Sequence, residues 1–194
     1  MAGQQVVLVR HGETEWTRTG QHTGRTDIAL TDRGCAEATA VRPLLEGYAF
    51  TWVASSPQAR AVQTAELAGV ALDETLADLR EWDYGDYEGR TSEDIRSDVP
   101  GWTVWSHPVP AGESLHDVAT RADRVLERVR AVSGDVLLFG HGHQLRVLAA
   151  RWCELEPVVG RRLALDPASV SVLSYERDTP VLAHWNRPAQ LGPA

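Results

Sequence analysis

Val6-Val7-Leu8-Val9-Arg10-His11-Gly12-Glu13-Thr14-Glu15-Trp16 is the stretch on which the fold turns. Val6 to Val9 are four apolar, mostly β-branched residues, the pattern of a strand buried on both faces of a parallel sheet. Arg10-His11-Gly12 follows where such a strand ends, and open α/β sheets bind ligands outside those carboxyl ends. Arg offers a planar fork of donors for phosphate or carboxylate. His is a base, nucleophile or ligand near neutral pH. Gly lets the backbone approach a ligand closely. Taken alone, the three residues equally fit a solvated loop.

Two further junctions repeat the pattern. Thr51-Trp52-Val53-Ala54-Ser55 reads as a strand, followed by a helix over about 57–68 that ends at Gly69. Pro57 suits the first turn, where its missing N–H costs nothing. Arg60 then falls near the positive end of the helix dipole, which suits it only if an anion lies between them. Asp135-Val136-Leu137-Leu138-Phe139 leads into Gly140-His141-Gly142-His143 and a helix with Leu145, Leu148, Ala149 and Trp152 on one face. Arg10, His11, Arg60 and His141 are thereby directed towards one edge of a sheet.

The remaining periodicity predicts a helix capped by Thr31, running to about Glu46 and closed by Gly47. A long amphipathic helix over about 114–132 carries Leu115, Val118, Ala122, Val125, Leu126 and Val129 inward. A late hairpin over 169–175 and 181–185 turns at about Asp178. The fold class is α/β: a three-layer sandwich with a mostly parallel central sheet and helices on both faces. The chain reads as one domain over 1–194, with a tail over 187–194 expected to be loose. Residues 82–113 read as an irregular segment. Its aromatic residues either stack on a ligand or form a satellite core, and Trp102 and Trp105 are assigned to core.

Several blocks, in order, resemble the histidine phosphatase superfamily, in its phosphoglycerate-mutase-like branch. They are Leu8 to Trp16; Gly24 and Asp27, with Leu30-Thr31-Asp32-Arg33-Gly34; Ser55 to Ala65; Leu79 to Gly89; and Gly140-His141-Gly142 with Arg146. The resemblance implies that His11 takes the phosphoryl group as a phosphohistidine. It implies that Arg10, Arg60 and His141 line the phosphate pocket and that Glu81 donates the leaving-group proton. The other reading of Glu81 is a surface carboxylate paired with Arg80. Thr17, Thr23, Gly24, Tyr84 and Gly142 are expected to contact the substrate. Pro110 to Ser114 matches a further motif, which puts the backbone of Gly112, Glu113 and Ser114 at the site entrance. Thr17 stands where many members have Asn, with one donor instead of two. Pro57 stands where Leu is common. His143, where a small residue is frequent, is either a pocket-rim group or a solvated helix-start residue, and the second reading is preferred.

These roles make chemical sense. A phosphoryl group in flight spreads charge over three oxygens, so positioning and electrostatics dominate its transfer. Two guanidiniums and an imidazole can supply that charge with no cofactor and no metal. A metal site built on His11, His22, His141 and His143 is disfavoured because the ligand spacing is absent and Arg10 would repel the cation.

The 194 residues carry a net charge of −8, with 43% hydrophobic and 24% charged residues, ordinary for a globular protein. The negative charge argues against nucleic acid or an anionic membrane as partner. A small phosphorylated substrate is the expected partner, and a homodimer is left open. Cys35 and Cys153 are expected to be reduced and buried. No signal peptide or membrane span is visible, so a cytoplasmic location is expected. Sixty positions separate Glu81 from His141 (141 − 81 = 60), which leaves little room for an insertion that would close over the site. The branch's acid-phosphatase and sedoheptulose-bisphosphatase-like members are the nearest in pattern, so hydrolysis is expected over phosphoglycerate mutation. A non-catalytic phosphate-binding module is a remote third reading.

Overall fold

In the computed structural model, which describes residues 3–189, β1 (Val6–Arg10) is buried from Val6 to Val9. The chain continues through α1 (Glu15–Thr19), α2 (Asp32–Ala40), α3 (Arg42–Leu45), β2 (Phe50–Ser55), α4 (Ala59–Leu67) and β3 (Glu74–Thr75). Then follow α5 (Ser92–Asp98), α6 (Leu115–Ala131), β4 (Asp135–Gly140), α7 (Gly142–Trp152), β5 (Val170–Glu176) and β6 (Thr179–Arg187). The six strands form one sheet in the order β3-β2-β4-β1-β5-β6. The first four are parallel, while β5 runs antiparallel to β1 and β6 antiparallel to β5.

Alternation along β1 explains the three layers. Val6 and Leu8 face one core with Val118, Val125 and Leu126 of α6 and Leu145 and Leu148 of α7. Val7 and Val9 face the other with Leu45 of α3 and Ala65 of α4. β4 lies between β1 and β2, so the connection after β1 leaves on one side and the chain later returns beside it. Such a reversal opens a crevice at the carboxyl ends of the strands. Arg10 pairs with Gly140 in register, and the backbone N–H of Ser56 donates to the carbonyl of Phe139 at 2.9 Å. The three junctions therefore do meet. No described helix is long and apolar enough to cross a membrane.

Several expectations need correction. The helix capped by Thr31 breaks at Val41, because Pro43 has no N–H and its ring collides with the turn before it. Pro57 lies ahead of α4 and not in its first turn. The carboxylate of Asp27, from a distant loop, accepts from the Ala59 N–H at 3.0 Å, so a tertiary contact supplies the cap and sets the helix start. Segment 82–113 is not wholly irregular, since Thr91 and Asp94 form a capping box that starts α5. Trp102 is core, while Trp105 is half-buried and packs on it. Cys35 and Cys153 are free but only half-buried. Arg187, expected to open the loose tail, instead ends β6 and pairs with Val170. Residues 190–194 of that tail lie outside the described residues.

Candidate active site

The loop after β1 is tied down before it can act. The His11 N–H donates to the carbonyl of Gly140 at 3.0 Å, and the His11 carbonyl accepts from Ala168 at 3.1 Å. The ring Nδ1 of His11 lies 2.7 Å from the carbonyl of its neighbour Gly12. A carbonyl can only accept, so Nδ1 carries the proton and Nε2 keeps its lone pair. Burial, with the Arg60 and Arg10 cations adding to it, holds the His11 pKa well below its ordinary value. The imidazole is neutral, with an unprotonated Nε2 that has no hydrogen-bond partner among the described residues.

Arg10 donates from Nη1 to the carbonyl of Leu165 at 2.5 Å, while its buried Nε has no partner. A buried unpaired donor on a cation is costly and calls for an anionic acceptor. Glu81 is the opposite case. One carboxylate oxygen accepts from the N–H groups of Trp82 at 2.8 Å and Gln144 at 2.9 Å, and the other from His143 at 3.0 Å. Two of those donors belong to the first turn of α7, whose dipole favours a carboxylate there. Glu81 is nearly buried and does not pair with Arg80.

A cavity of about 180 Å³ opens at this point. It is lined by Arg10, His11, Glu81, Thr17, Thr23, Tyr84 and Gly142 of the expected set. Arg60, His141 and Gly24 do not line it. Arg60 is fully buried and donates to the backbone carbonyls of Thr26 at 2.9 Å, Thr23 at 3.1 Å and Gly24 at 3.3 Å. The anion expected between Arg60 and the helix start is the Asp27 carboxylate, 3.9 Å from Nη1, and the carbonyls meet the remaining donors of the buried cation. The Nε of Arg60 also donates to Nδ1 of His141 at 3.2 Å, so the other ring nitrogen of His141 donates to the Ser56 hydroxyl at 2.8 Å. The two imidazoles of His11 and His141 lie 5.1 Å apart, centroid to centroid. Arg60 and His141 therefore form a layer immediately behind His11. Gly24 serves packing: a Cβ there would come within 2.6 Å of the Trp82 carbonyl oxygen.

His143 is half-buried at the cavity and not a free helix-start residue. Its Nδ1 lies 2.5 Å from the Tyr84 hydroxyl, and its ring packs on Trp105 and Trp82 at the cavity wall. Burial holds the His143 pKa well below its ordinary value and pushes that of Tyr84 well above. Tyr84 therefore donates and His143 accepts. Gly112, Glu113 and Ser114 do not reach the cavity. Glu113 instead bridges Arg121 and the Asp83 N–H, which braces the turn that carries Glu81. Arg146, Trp16 and Leu165 also line the cavity. Arg146 stood in the last sequence block without a role. Leu165 had no local signal, because a main-chain carbonyl is present at every residue. His11, His22, His141 and His143 form no metal-ligand cluster among the described residues.

The sequence model of the histidine phosphatase superfamily (branch 1) matches residues 6–188. An acid phosphatase of Mycobacterium tuberculosis is 41% identical over 183 residues, which is 92% of this chain and 90% of that protein. The sedoheptulose 1,7-bisphosphatase of Saccharomyces cerevisiae is 32% identical over 89% of this chain and 75% of its own length. A probable phosphoglycerate mutase of Cronobacter sakazakii is 31% identical over 93% of this chain and 89% of its own length. A solved structure of a Mycobacterium tuberculosis open reading frame superposes with a TM-score of 0.91 at 40% identity, covering 96% of this chain and 99% of that one.

Proposed function

The chain belongs to the histidine phosphatase superfamily (branch 1), and on that premise we propose that it hydrolyses small phosphorylated metabolites through a phosphohistidine at His11. The observation that carries the reading is the free Nε2 of a neutral His11 in the same cavity as the guanidinium of Arg10, whose Nη2 makes no hydrogen bond among the described residues. The first is a nucleophile and the second a donor waiting for a phosphate oxygen.

In the proposed reaction Nε2 of His11 attacks phosphorus and the P–O bond to the leaving group breaks. The Gly12 carbonyl holds the proton on Nδ1 and steadies the positive charge that forms on the ring. Glu81, as the acid, gives its proton to the departing oxygen. A water then attacks the phosphohistidine, Glu81 takes a proton back, and phosphate and neutral His11 are restored. Arg10 neutralises phosphoryl charge directly. Arg60, one layer back, contributes a fixed positive field, and neutral His141 holds its guanidinium in place behind the His11 ring. Thr17, Thr23 and Gly142 complete the walls. No step calls for a metal ion.

We assign the chain to the acid type of phosphatase because its nucleophile stays unprotonated below pH 6.5, given the lowered His11 pKa. A cytoplasmic setting is in keeping with two free thiols. Mutation of phosphoglycerate is the second reading, since a 31% identical relative carries that name. Hydrolysis is favoured because Ile95, Trp102, Val104 and Val109 of segment 82–113 are buried in the main core and not folded over the cavity. The site rim at Gly20 is exposed, so water has access. Incubation with 3-phosphoglycerate, following free phosphate and 2-phosphoglycerate together, separates the two. Phosphate is the expected product. Rapid 2-phosphoglycerate with little phosphate would make the chain a mutase.

A further inference from the structure

Tyr84 and His143 form a pair that the proposed reaction leaves unused, although both stand at the cavity wall. The Tyr84 hydroxyl donates to Nδ1 of His143 at 2.5 Å. Tyr84 is 2% exposed, so that hydroxyl is withdrawn from water for this one acceptor. The His143 ring is held edge-on by Trp82 and Trp105, at centroid distances of 6.3 and 5.3 Å. Burial keeps both partners of the bond uncharged.

The same two stretches of chain meet a second time through the backbone. Tyr84 follows Glu81 by three residues, and the His143 N–H donates to Oε2 of Glu81 at 3.0 Å. His143 therefore grips segment 81–84 at two points, with its N–H on Glu81 and its ring on Tyr84. The first turn of α7 depends on that grip, because His141 at its N-cap offers no side-chain acceptor. Oε1 of Glu81 accepts from both Trp82 and Gln144, which engages its two lone pairs. The proton that Glu81 gives away then sits on Oε2, the oxygen that His143 alone holds among the described residues. A carboxylate holds N–H donors strongly, and a protonated carboxyl holds them weakly. Glu81 acts as an acid in its weakly held form, at the moment when its place matters most. The Tyr84–His143 bond does not change with that proton, since both of its partners stay neutral.

We propose that the Tyr84–His143 hydrogen bond is a positioning strut, which keeps Glu81 aimed at the leaving oxygen while its carboxyl is protonated. This rests on the hydrolytic reading above, in which Glu81 is the acid. Tyr84 acts through Glu81, and its hydroxyl is engaged by His143 and not by the substrate.

Leaving-group dependence tests this, because a fault in proton donation scales with the basicity of the departing oxygen. In Tyr84→Phe, kcat for an alkyl phosphate such as glycerol 3-phosphate is expected to fall about tenfold or more, and kcat for p-nitrophenyl phosphate much less. KM should move less than about threefold on both substrates. His143→Ala keeps the N–H and loses the ring, and should repeat the kcat pattern; it replaces Tyr84→Phe if circular dichroism shows that variant unfolded. The two changes together should lower kcat by no more than about threefold beyond either alone, since each breaks the same bond. Glu81→Gln is the reference, with its own larger loss on the alkyl phosphate. Adding Tyr84→Phe to Glu81→Gln should lower kcat by less than about threefold, because no acid is left to aim. Equal losses of Tyr84→Phe on both substrates, a raised KM with kcat kept, or a full tenfold or so further loss on top of Glu81→Gln would overturn the strut and leave the acid role standing. Equal losses of Glu81→Gln on the two substrates would remove the acid role itself, and the strut with it.

Discussion

At the scale of single residues, the chemistry rests on which atoms are satisfied and which are not. His11 has one nitrogen bound to a carbonyl and one free, and Arg10 has a buried donor with no acceptor. His11→Ala should lower kcat by several orders of magnitude while circular dichroism stays native, because the other imidazoles lining the cavity, His143 and His22, have a ring nitrogen engaged by Tyr84 and Ser92. Retention of a tenth of the activity would remove His11 from that role. Glu81→Gln should reduce kcat strongly for alkyl phosphates and much less for p-nitrophenyl phosphate, whose leaving group hardly needs a proton. Equal losses on both substrates would exclude Glu81 as the acid. Arg-His-Gly after a buried strand was legible from type and order, and Glu81 only through the family resemblance of its block. The pairing of Tyr84 with His143 was not legible, because 59 positions separate them and only packing brings them together.

At the scale of elements, the loop over Thr23–Thr26 and helix α4 are joined through one guanidinium. Arg60 supplies donors to three carbonyls of that loop and to His141 of the next strand end. Arg60→Met would leave buried acceptors unmet and should destabilise the fold by on the order of 3 kcal/mol. It should also act at a distance from its own contacts. Arg60 is the largest cause, after burial, of the lowered His11 pKa. Its removal should move the acid limb of the kcat/KM profile to higher pH, a change that destabilisation alone would not produce. An unshifted limb with a lowered melting temperature would make Arg60 purely structural. Element boundaries show the same dependence on neighbours. Thr31 and Ser114 cap their helices as local pattern requires, but α4 starts where Asp27 reaches it.

At the scale of the whole molecule, four histidines are held neutral by burial. His11, His141 and His143 have pKa values well below 6.5, and that of His22 falls to about 4. The unfolded chain takes up these protons near pH 6.5 and the folded protein does not until much lower. Stability is therefore fully present above about pH 6.5 and is lost as pH falls towards 4. At pH 5.5 each histidine contributes up to about 1.4 kcal/mol of loss. Urea unfolding at pH 7.5, 6.5 and 5.5 should show the midpoint falling a little over the first interval and more steeply over the second. A midpoint that rises on acidification would contradict neutral burial. The same neutrality keeps the nucleophile free in mild acid, so activity and stability are expected to diverge there.

Sequence by itself determined the strands that lead into Arg10, Ser56 and Gly140 and the two-faced burial of the sheet, while the roles expected of His11 and Glu81 came from the family resemblance of their blocks. Those features depend on hydrophobic period and on short motifs, which are local properties of a chain. Only the tertiary structure decided that Arg60 and His141 stand behind the cavity while His143 and Arg146 stand in it. Which side of a wall a charged group occupies depends on the carbonyls and carboxylates that reach it from distant positions. For Arg60 those are the carbonyls of Thr23, Gly24 and Thr26, which fill its fork; for Arg146, among the described residues, only Gly160 arrives, at Nε.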